Sequence, residues 1–471
     1  MDYHGTPLCW AVQNGHFNVA VELLHRGKVD ANKPDTKGRT PLSLAAEIGD
    51  SRMVYVLLYR DDVDPGSMDP AGRTPLIYAA SGGHYTIVVR LLKQAGVDAD
   101  QPDPNGRSPL SFAAEIGHPR LVRLLLARTD VNPNKRDIDG RTPLLWAARM
   151  GHDDVVALLL SARGVNPDWP DQDGFTPLLR ASSLGHTPVV MLLLRSSCVD
   201  PTRLNNDGES AVYCAAAAGH AEIVKLLLER DEVDADLPNP ERETPLAIAA
   251  RNGHVVVVEL MLRSRNISRN IPNRNGKTPL ILASQGGHTE TVRCLILEKV
   301  RLDSLDYNGR TPLSWAAGMG HEGVVKLLLE SGGVNPNLYD NEGRAPIHWA
   351  AENGHAGVVT ILLGCEEVWA DAPCKKGRTA LFYSTIFTHS EVVEVLLRRG
   401  DVNPNFKDED WRTPLSWAAE SGDEGIVQML LDRGATNYHA PDKFGYSPAQ
   451  YASICGSDQV KKLLSQDDDR L

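Results

Sequence analysis

Fifteen histidines and seven cysteines are the side chains of this 471-residue chain best suited to ligate a metal, shuttle a proton or attack a carbon. Their spacing argues against all three. Eleven of the histidines, from His16, His84, His118 and His152 onward to His389, fall in one register of 34 residues with a single step of 33. A group repeated at a fixed interval is a copy of a building element, so a structural role is expected. The cysteines (Cys9, Cys198, Cys214, Cys294, Cys365, Cys374 and Cys455) are odd in number and form no Cys-x-x-Cys pair, so neither a disulfide framework nor a zinc site is encoded, and the thiols read as reduced and intracellular. No Gly-rich phosphate loop, Gly-x-Ser-x-Gly or His-Glu-x-x-His occurs. No catalytic residue, metal site or cofactor is expected.

Composition narrows the classes further. With 49 Lys+Arg against 61 Asp+Glu the net charge is −12, and 42% of residues are apolar. That is enough for a packed core and too much for a disordered chain. The acidic balance argues against a dedicated nucleic-acid binder, which must concentrate cations against phosphates. The start, MDYHGTPLCWAVQNGH, lacks a basic segment followed by an apolar one, and later apolar stretches are broken by charge. Neither secretion nor a membrane span is expected, and the chain reads as cytoplasmic or nuclear.

The elements that must position these residues come from the same register. Thr-Pro or a close variant begins at Thr6, Thr40, Thr74, Ser108, Thr142, Thr176, Ser210, Thr244, Thr278, Thr311, Ala345, Thr379, Thr413 and Ser447. Counted from that residue, Pro follows at +1 in twelve of the fourteen units, Gly stands at +9 in thirteen and His at +10 in eleven. Thr or Ser caps a helix and Pro suits its first turn. In TPLLWAARMG, Leu144, Ala147 and Ala148 share a face, and Gly151 ends the helix in a left-handed conformation. The apolar positions of HDDVVALLL then define a second helix. A recurrent Val-Asp/Asn-Pro, as at Val131-Asn132-Pro133, forces the chain out into a loop, and Asp-x-x-Gly-Arg, as at Asp137 to Arg141, turns it back in a hairpin tip. Each unit is therefore expected to be helix, turn, helix and finger.

The pattern T-P-L-x-x-A-A-x-x-G-H-x-x-V-V-x-L-L-L followed by D-x-x-G resembles the ankyrin repeat, from about Tyr3 to Gln466. Most units here have 34 residues rather than the family's 33, and the family's usual His at +3 survives as His348 while Ser43, Ser111, Ser314 and Ser416 replace it elsewhere. The phrase GRTPLSWAA is similar to long arrays common in filamentous fungi, where such arrays form the sensor end of multidomain proteins. The resemblance implies an all-α solenoid of about fourteen repeats over residues 1–466, with an acidic tail at 467–471. First helices then line a concave groove, second helices form the back, and hairpin or loop fingers project. It also implies a structural hydrogen bond for the +10 histidines at the start of the second helix. Trp10, Val12 and Val19 leave the first unit with an apolar edge, so further repeats or a domain upstream, or self-association through that edge, are expected.

Within this frame three rows stand out. Eight Arg and one Lys occupy −1, and nine Asp occupy −5, so an Asp/Arg ladder with little net field is expected. Aromatic residues recur at +4, among them Trp10, Tyr78, Phe112, Trp146, Trp315, Trp349, Tyr383, Trp417 and Tyr451, and are assigned to packing between repeats. Departures from the consensus point to function. Arg180 replaces the +4 aromatic, and a charge there must snorkel, pair or bind. The groove positions +7 and +8 become basic and apolar from Arg149 to Arg251. The twelfth unit, GRTALFYSTIFTHS, lacks both its Pro and the turn Gly, which makes it a hinge or a contact. A partner protein is thus expected at Arg149, Met150, Arg180, Leu184, Tyr213, Arg251, Asn252, Met319, Ile386 and Phe387, with no nucleic acid and no membrane involved. The alternative is an enzyme or small-molecule binder using Arg180, Tyr213 and Arg251.

Overall fold

A computed structural model describes residues 5–26, 29–264, 267–436 and 438–466; Met1, Tyr3 and the acidic run at 467–471 lie outside the described residues. Among the described residues the regular structure is helical throughout, twenty-eight helices in fourteen pairs and no strand.

Local chemistry sets both ends of each helix. In the second pair the Thr40 hydroxyl accepts from the Ser43 N–H at 3.2 Å, and Pro41 sits in the first turn of helix Pro41–Ile48. In the fifth pair, helix Pro143–Met150 ends on Gly151, whose φ of 77° lets the His152 N–H turn back to the Ala147 carbonyl at 3.0 Å. Helix Asp153–Ser161 follows and buries Val155, Val156 and Leu159 against its partner. The first helix is enclosed more fully than a one-sided pattern suggests, since Pro143 through Ala148 are all buried and only its C-terminal end reaches the surface. Small alanines at +5 and +6 allow this close approach from several sides.

Each finger closes with two main-chain bonds. The Asp35 N–H donates to the Arg39 carbonyl and the Gly38 N–H to the Asp35 carbonyl, both at 2.9 Å. That is a tight turn, too short to count as strand, so the expected hairpins take the loop form. A further bond joins neighbouring fingers, from the N–H at −4 to the carbonyl at −3 of the preceding unit, as in Ile138 to Asn105 at 2.8 Å and Asn341 to Asn308 at 2.9 Å. Pro70 and Pro104 occupy −4 and have no N–H to give.

The contacts group into two compact units, residues 1–234 and 235–471, with seven helix pairs in each. Within each unit first helices stack on first helices and second on second, so apolar residues such as Leu44, Leu110, Leu144 and Leu178 in one and Leu280, Leu313, Ile347 and Leu381 in the other continue a core from pair to pair. At the first pair Trp10 and Val19 are exposed, whereas Val12 is buried. The twelfth pair keeps the common turn. Thr388 adopts a φ of 55°, the His389 N–H reaches the Ser384 carbonyl at 2.8 Å, and the Ser384 and Thr385 hydroxyls satisfy themselves on the Leu381 carbonyl at 3.0 and 2.7 Å. The missing Gly is therefore met by local strain rather than by a reshaped turn.

Candidate functional site

The face formed by the fingers and the C-terminal ends of the first helices is built around the Asp at −5. One carboxylate oxygen accepts from the finger backbone, as Asp137 Oδ1 does from the Arg141 N–H at 2.7 Å, and the other accepts from the side chain at +4. In residues 1–234 the Tyr78 hydroxyl donates to Asp69 at 2.6 Å and the Trp146 indole to Asp137 at 2.9 Å. In 235–471, Trp315 and Trp349 donate to Asp306 and Asp340 at 2.9 and 3.1 Å, and Tyr451 to Asp442 at 2.6 Å. These five aromatic residues thus tie a finger to its own helix, a polar duty added to the expected packing, whereas Phe112 has no donor to give and the Trp417 indole N–H finds no partner among the described residues. Burial and the neighbouring carboxylate push the Tyr78 and Tyr451 hydroxyls up to about 12.

Guanidinium groups at −1 lie on these rings. Arg310 stands 3.7 Å from the centres of both Trp315 and Trp349, and Arg412 stands 3.6 Å from Trp417 and 4.3 Å from Tyr451. Burial lowers the Arg310 guanidinium to about 10, so it stays charged at neutral pH. The cations are neutralised in two ways. Asp at −5 holds Arg39 at 2.9 Å and Arg344 at 3.1 Å, as expected. Glu at +7 also serves, with Glu47 at 2.6 Å from Arg39, Glu352 at 3.2 Å from Arg344, and Glu115 and Glu420 bonded to Arg107 and Arg412. Sequence reading missed this second partner, although Glu recurs at +7 in units that carry Arg at −1.

The sequence-derived candidates divide accordingly. Arg180 puts its guanidinium 2.5 Å from Asp171, where Trp146 places its indole on Asp137, and lies 3.8 Å over the Phe175 ring. Of the three fates open to that charge, it pairs. Arg251 is 2.5 Å from Glu243, the same −1/+7 pair with its charges exchanged. Tyr213 is only 5% exposed and so offers no surface to a partner; this is a correction to the expected set, because the +3 position turns into the stack. Met150 and Leu184 are exposed in 1–234 beside Arg149, which has no ion pair with a described residue. In 235–471, Met319, Phe387 and Asn252 are exposed and Ile386 is half-buried.

Fingers add exposed side chains that sequence reading passed over, including Ile138 and Trp169 in 1–234 and Tyr307, Trp369 and Trp411 in 235–471. Trp411 is also strained, with a φ of 64° at a position (−2) where eleven fingers carry Gly. The replaced Gly was the available signal.

The sequence profile of the family described as ankyrin repeats (3 copies) matches residues 2–69, 42–137, 112–203, 189–273, 264–340, 331–408 and 400–470. The chain belongs to the ankyrin-repeat family. Comparison with curated proteins returns no match.

In these ankyrin repeats the histidines bind neighbours. Nε2 of His152, His186, His288 and His389 lies 2.8–2.9 Å from the main-chain carbonyl at +7 of the preceding repeat, Glu115, Arg149, Arg251 and Glu352 in turn. His84, His220, His321 and His355 make the same bond to the preceding +7 carbonyl, so these imidazoles are part of the stacking, whereas His118 Nδ1 accepts from the Leu121 N–H at 3.3 Å. Where Asp50 and Asp423 stand instead, their carboxylates cap the second helix, accepting from the Met53 and Ile426 N–H groups at 3.0 Å. Burial pushes the Cys214 thiol up to about 12, which makes it a poor nucleophile. Among the described residues no group of His, Cys, Asp or Glu converges as a metal site, and no helix is long and apolar enough to cross a membrane. What this face can do chemically is present apolar and cationic side chains on a fixed scaffold.

Proposed function

We propose that this ankyrin-repeat protein is a non-catalytic recognition module, binding a partner protein through the groove face of its first helices and through its fingers. Support comes chiefly from Met150 and Leu184, exposed at successive +8 positions beside Arg149, which pairs with no carboxylate of a described residue, while Arg141 and Arg180 of the same stretch are engaged with Asp139 and Asp171. In 235–471 the corresponding surface is Met319, Ile386 and Phe387 with Arg251 and Asn252. The array is taken to run continuously over residues 1–466 and to work in the reducing interior of the cell, in keeping with seven free cysteines. Use as an enzyme or small-molecule site is disfavoured, because Arg180 and Arg251 are already paired and Tyr213 is buried.

Affinity capture from source-cell lysate tests the proposal, with wild type compared against Arg149→Glu/Met150→Ser/Leu184→Ser. All three side chains reach the surface, so the stack should survive. A protein recovered by wild type and lost by the variant is the expected result. Equal recovery by both would overturn the assignment to this stretch of the groove and send the search to the fingers.

A further inference from the structure

The outer face of residues 1–234 holds three successive clefts between second helices. The first, of about 540 Å³, lies between Ser51–Leu58 and Tyr85–Leu91 and is lined by Tyr55, Tyr59, Tyr85, Arg90 and Lys93. The next, about 470 Å³, shares Tyr85 and adds Arg120 and Arg123. The third, about 600 Å³, shares Arg123 and adds Arg128 and Arg163. Six cations line the three clefts, and no carboxylate of a described residue does. The clefts run against the charge of their unit, which has 24 Lys+Arg against 30 Asp+Glu, net −6. A comparable outer cleft in 235–471 is balanced, with Glu394 and Asp432 beside Arg398 and Arg433.

Local pairing does not account for the cluster. Arg128 is held by Asp130 at 2.7 Å, and Asp62 by Arg60 at 2.7 Å. Arg90, Lys93, Arg120, Arg123 and Arg163 are all exposed, and none pairs with a carboxylate of a described residue. Their neighbours are aromatic instead: Arg90 lies 4.9 Å over the Tyr55 ring and Arg120 lies 4.2 Å over Tyr85. This stacking holds the guanidinium planes in place and leaves N–H groups free for an incoming anion. Between the cations the floor is apolar, formed by Leu58, Val89, Leu124, Leu126 and Leu158.

We propose that this outer face is a second docking surface, separate from the groove, for an acidic peptide segment whose apolar side chains enter the clefts while its carboxylates meet the free cations. A single-stranded nucleic acid fits less well, because it needs open ring faces for its bases and Arg90 and Arg120 already occupy the rings of Tyr55 and Tyr85. Packed helices lie roughly 10 Å apart, and a peptide in the polyproline II conformation rises about 3.1 Å per residue with about three residues per turn, so every third side chain shares a face and successive clefts are about three residues apart along it. The matching sequence places an apolar residue at every third position with Glu or Asp between.

The probe is a fluorescein-labelled peptide of Glu-Leu-Glu repeated three times, titrated with the full chain by fluorescence anisotropy. Controls are nonaglutamate, nonauridylate and phosphatidylserine vesicles. Saturable binding of the Leu-containing peptide is expected, at least tenfold tighter than nonaglutamate and weakened at least tenfold by Arg90→Glu/Arg123→Glu or, independently, by Lys93→Glu/Arg163→Glu, each checked for native helicity. Met150→Ser/Leu184→Ser should leave it unchanged, which separates this surface from the groove. No saturation, indifference to both charge reversals, or charge-sensitive binding of the nucleotide or vesicle in place of the peptide would each overturn the proposal.

Discussion

His348 is fully buried, its Nδ1 accepting from the Ala345 N–H at 3.1 Å and its Nε2 donating to the Ala372 carbonyl at 2.9 Å, so the imidazole is neutral. Burial lowers its pKa from 6.5 to about 4. The unfolded chain takes up a proton there near pH 6.5 and the folded chain does not, so the contribution is complete above 6.5 and is lost as pH falls toward 4, to a total of roughly 3 kcal/mol. His348→Gln can make both bonds without titrating. Denaturant unfolding between pH 7 and 4.5 should show a shallower loss of stability for the variant than for wild type, and parallel curves would refute the assignment. Arg180 offers a second residue-level test. Asp171 is buried, so Arg180→Met leaves its carboxylate without a cation and should cost about 3 kcal/mol, whereas Arg180→Trp, copying Trp146, should cost less than about 1 kcal/mol. Equal losses would mean that packing, not the Asp171 bond, fixes position +4.

At the scale of the helix pair, the turn glycine is required for two reasons that only the stack explains together. Gly354 has a φ of 76°, and a Cβ on it would stand 2.8 Å from the ring of His389 in the next repeat. Thr388 bears a Cβ in the same conformation because the next repeat has Asp423 where the histidine would stand; in like manner Gly15, followed by Asp50, has nothing within 4 Å of an added Cβ. Thr388→Gly should therefore stabilise 235–471 by about 1 kcal/mol through relief of the left-handed strain, while Gly354→Ala should destabilise it by about 1–3 kcal/mol, with part of that recovered by His389→Asp. Thermal melting of the four proteins settles the signs. The helix starts and turns were legible in the sequence because capping Thr, first-turn Pro and turn Gly act within a few residues. The Asp/Arg pairs at −5 and −1 were legible for the same reason, but the other partners of the face were not, because they lie further apart: Arg39 and Glu47 meet across a helix, and His389 bonds a main-chain carbonyl 37 residues away, which carries no side-chain identity. One long-range rule was written there all the same. Where Asn205, Asn239 and Asn273 replace the −5 Asp, the +4 residues are Cys214, Ile248 and Leu282, without the strong N–H or O–H donor of Trp or Tyr.

For the molecule as a whole, the period carries no mark of the division at 234/235, since the step from Ser210 to Thr244 is the same 34 residues as its neighbours. Periodicity reports what each unit of sequence folds into and is silent about how the contacts group. Each of the two groups is complete in the terms that stabilise a stack: seven helix pairs, first helices enclosed by neighbours, and buried residues such as Val156 and Leu159 in one and Val325 and Leu328 in the other that continue the second-helix layer. In the last pair of 235–471, helix Asp458–Gln466 buries Val460 and Leu464. Residues 1–234 and 235–471, expressed separately, should therefore each be helical and melt cooperatively, with seven pairs well above the roughly three repeats such architectures need. Circular dichroism and urea titration of the two fragments decide it. A sigmoidal transition in each supports independent cores, whereas a fragment that loses helicity gradually from zero urea would show that its stack depends on the remainder of the array.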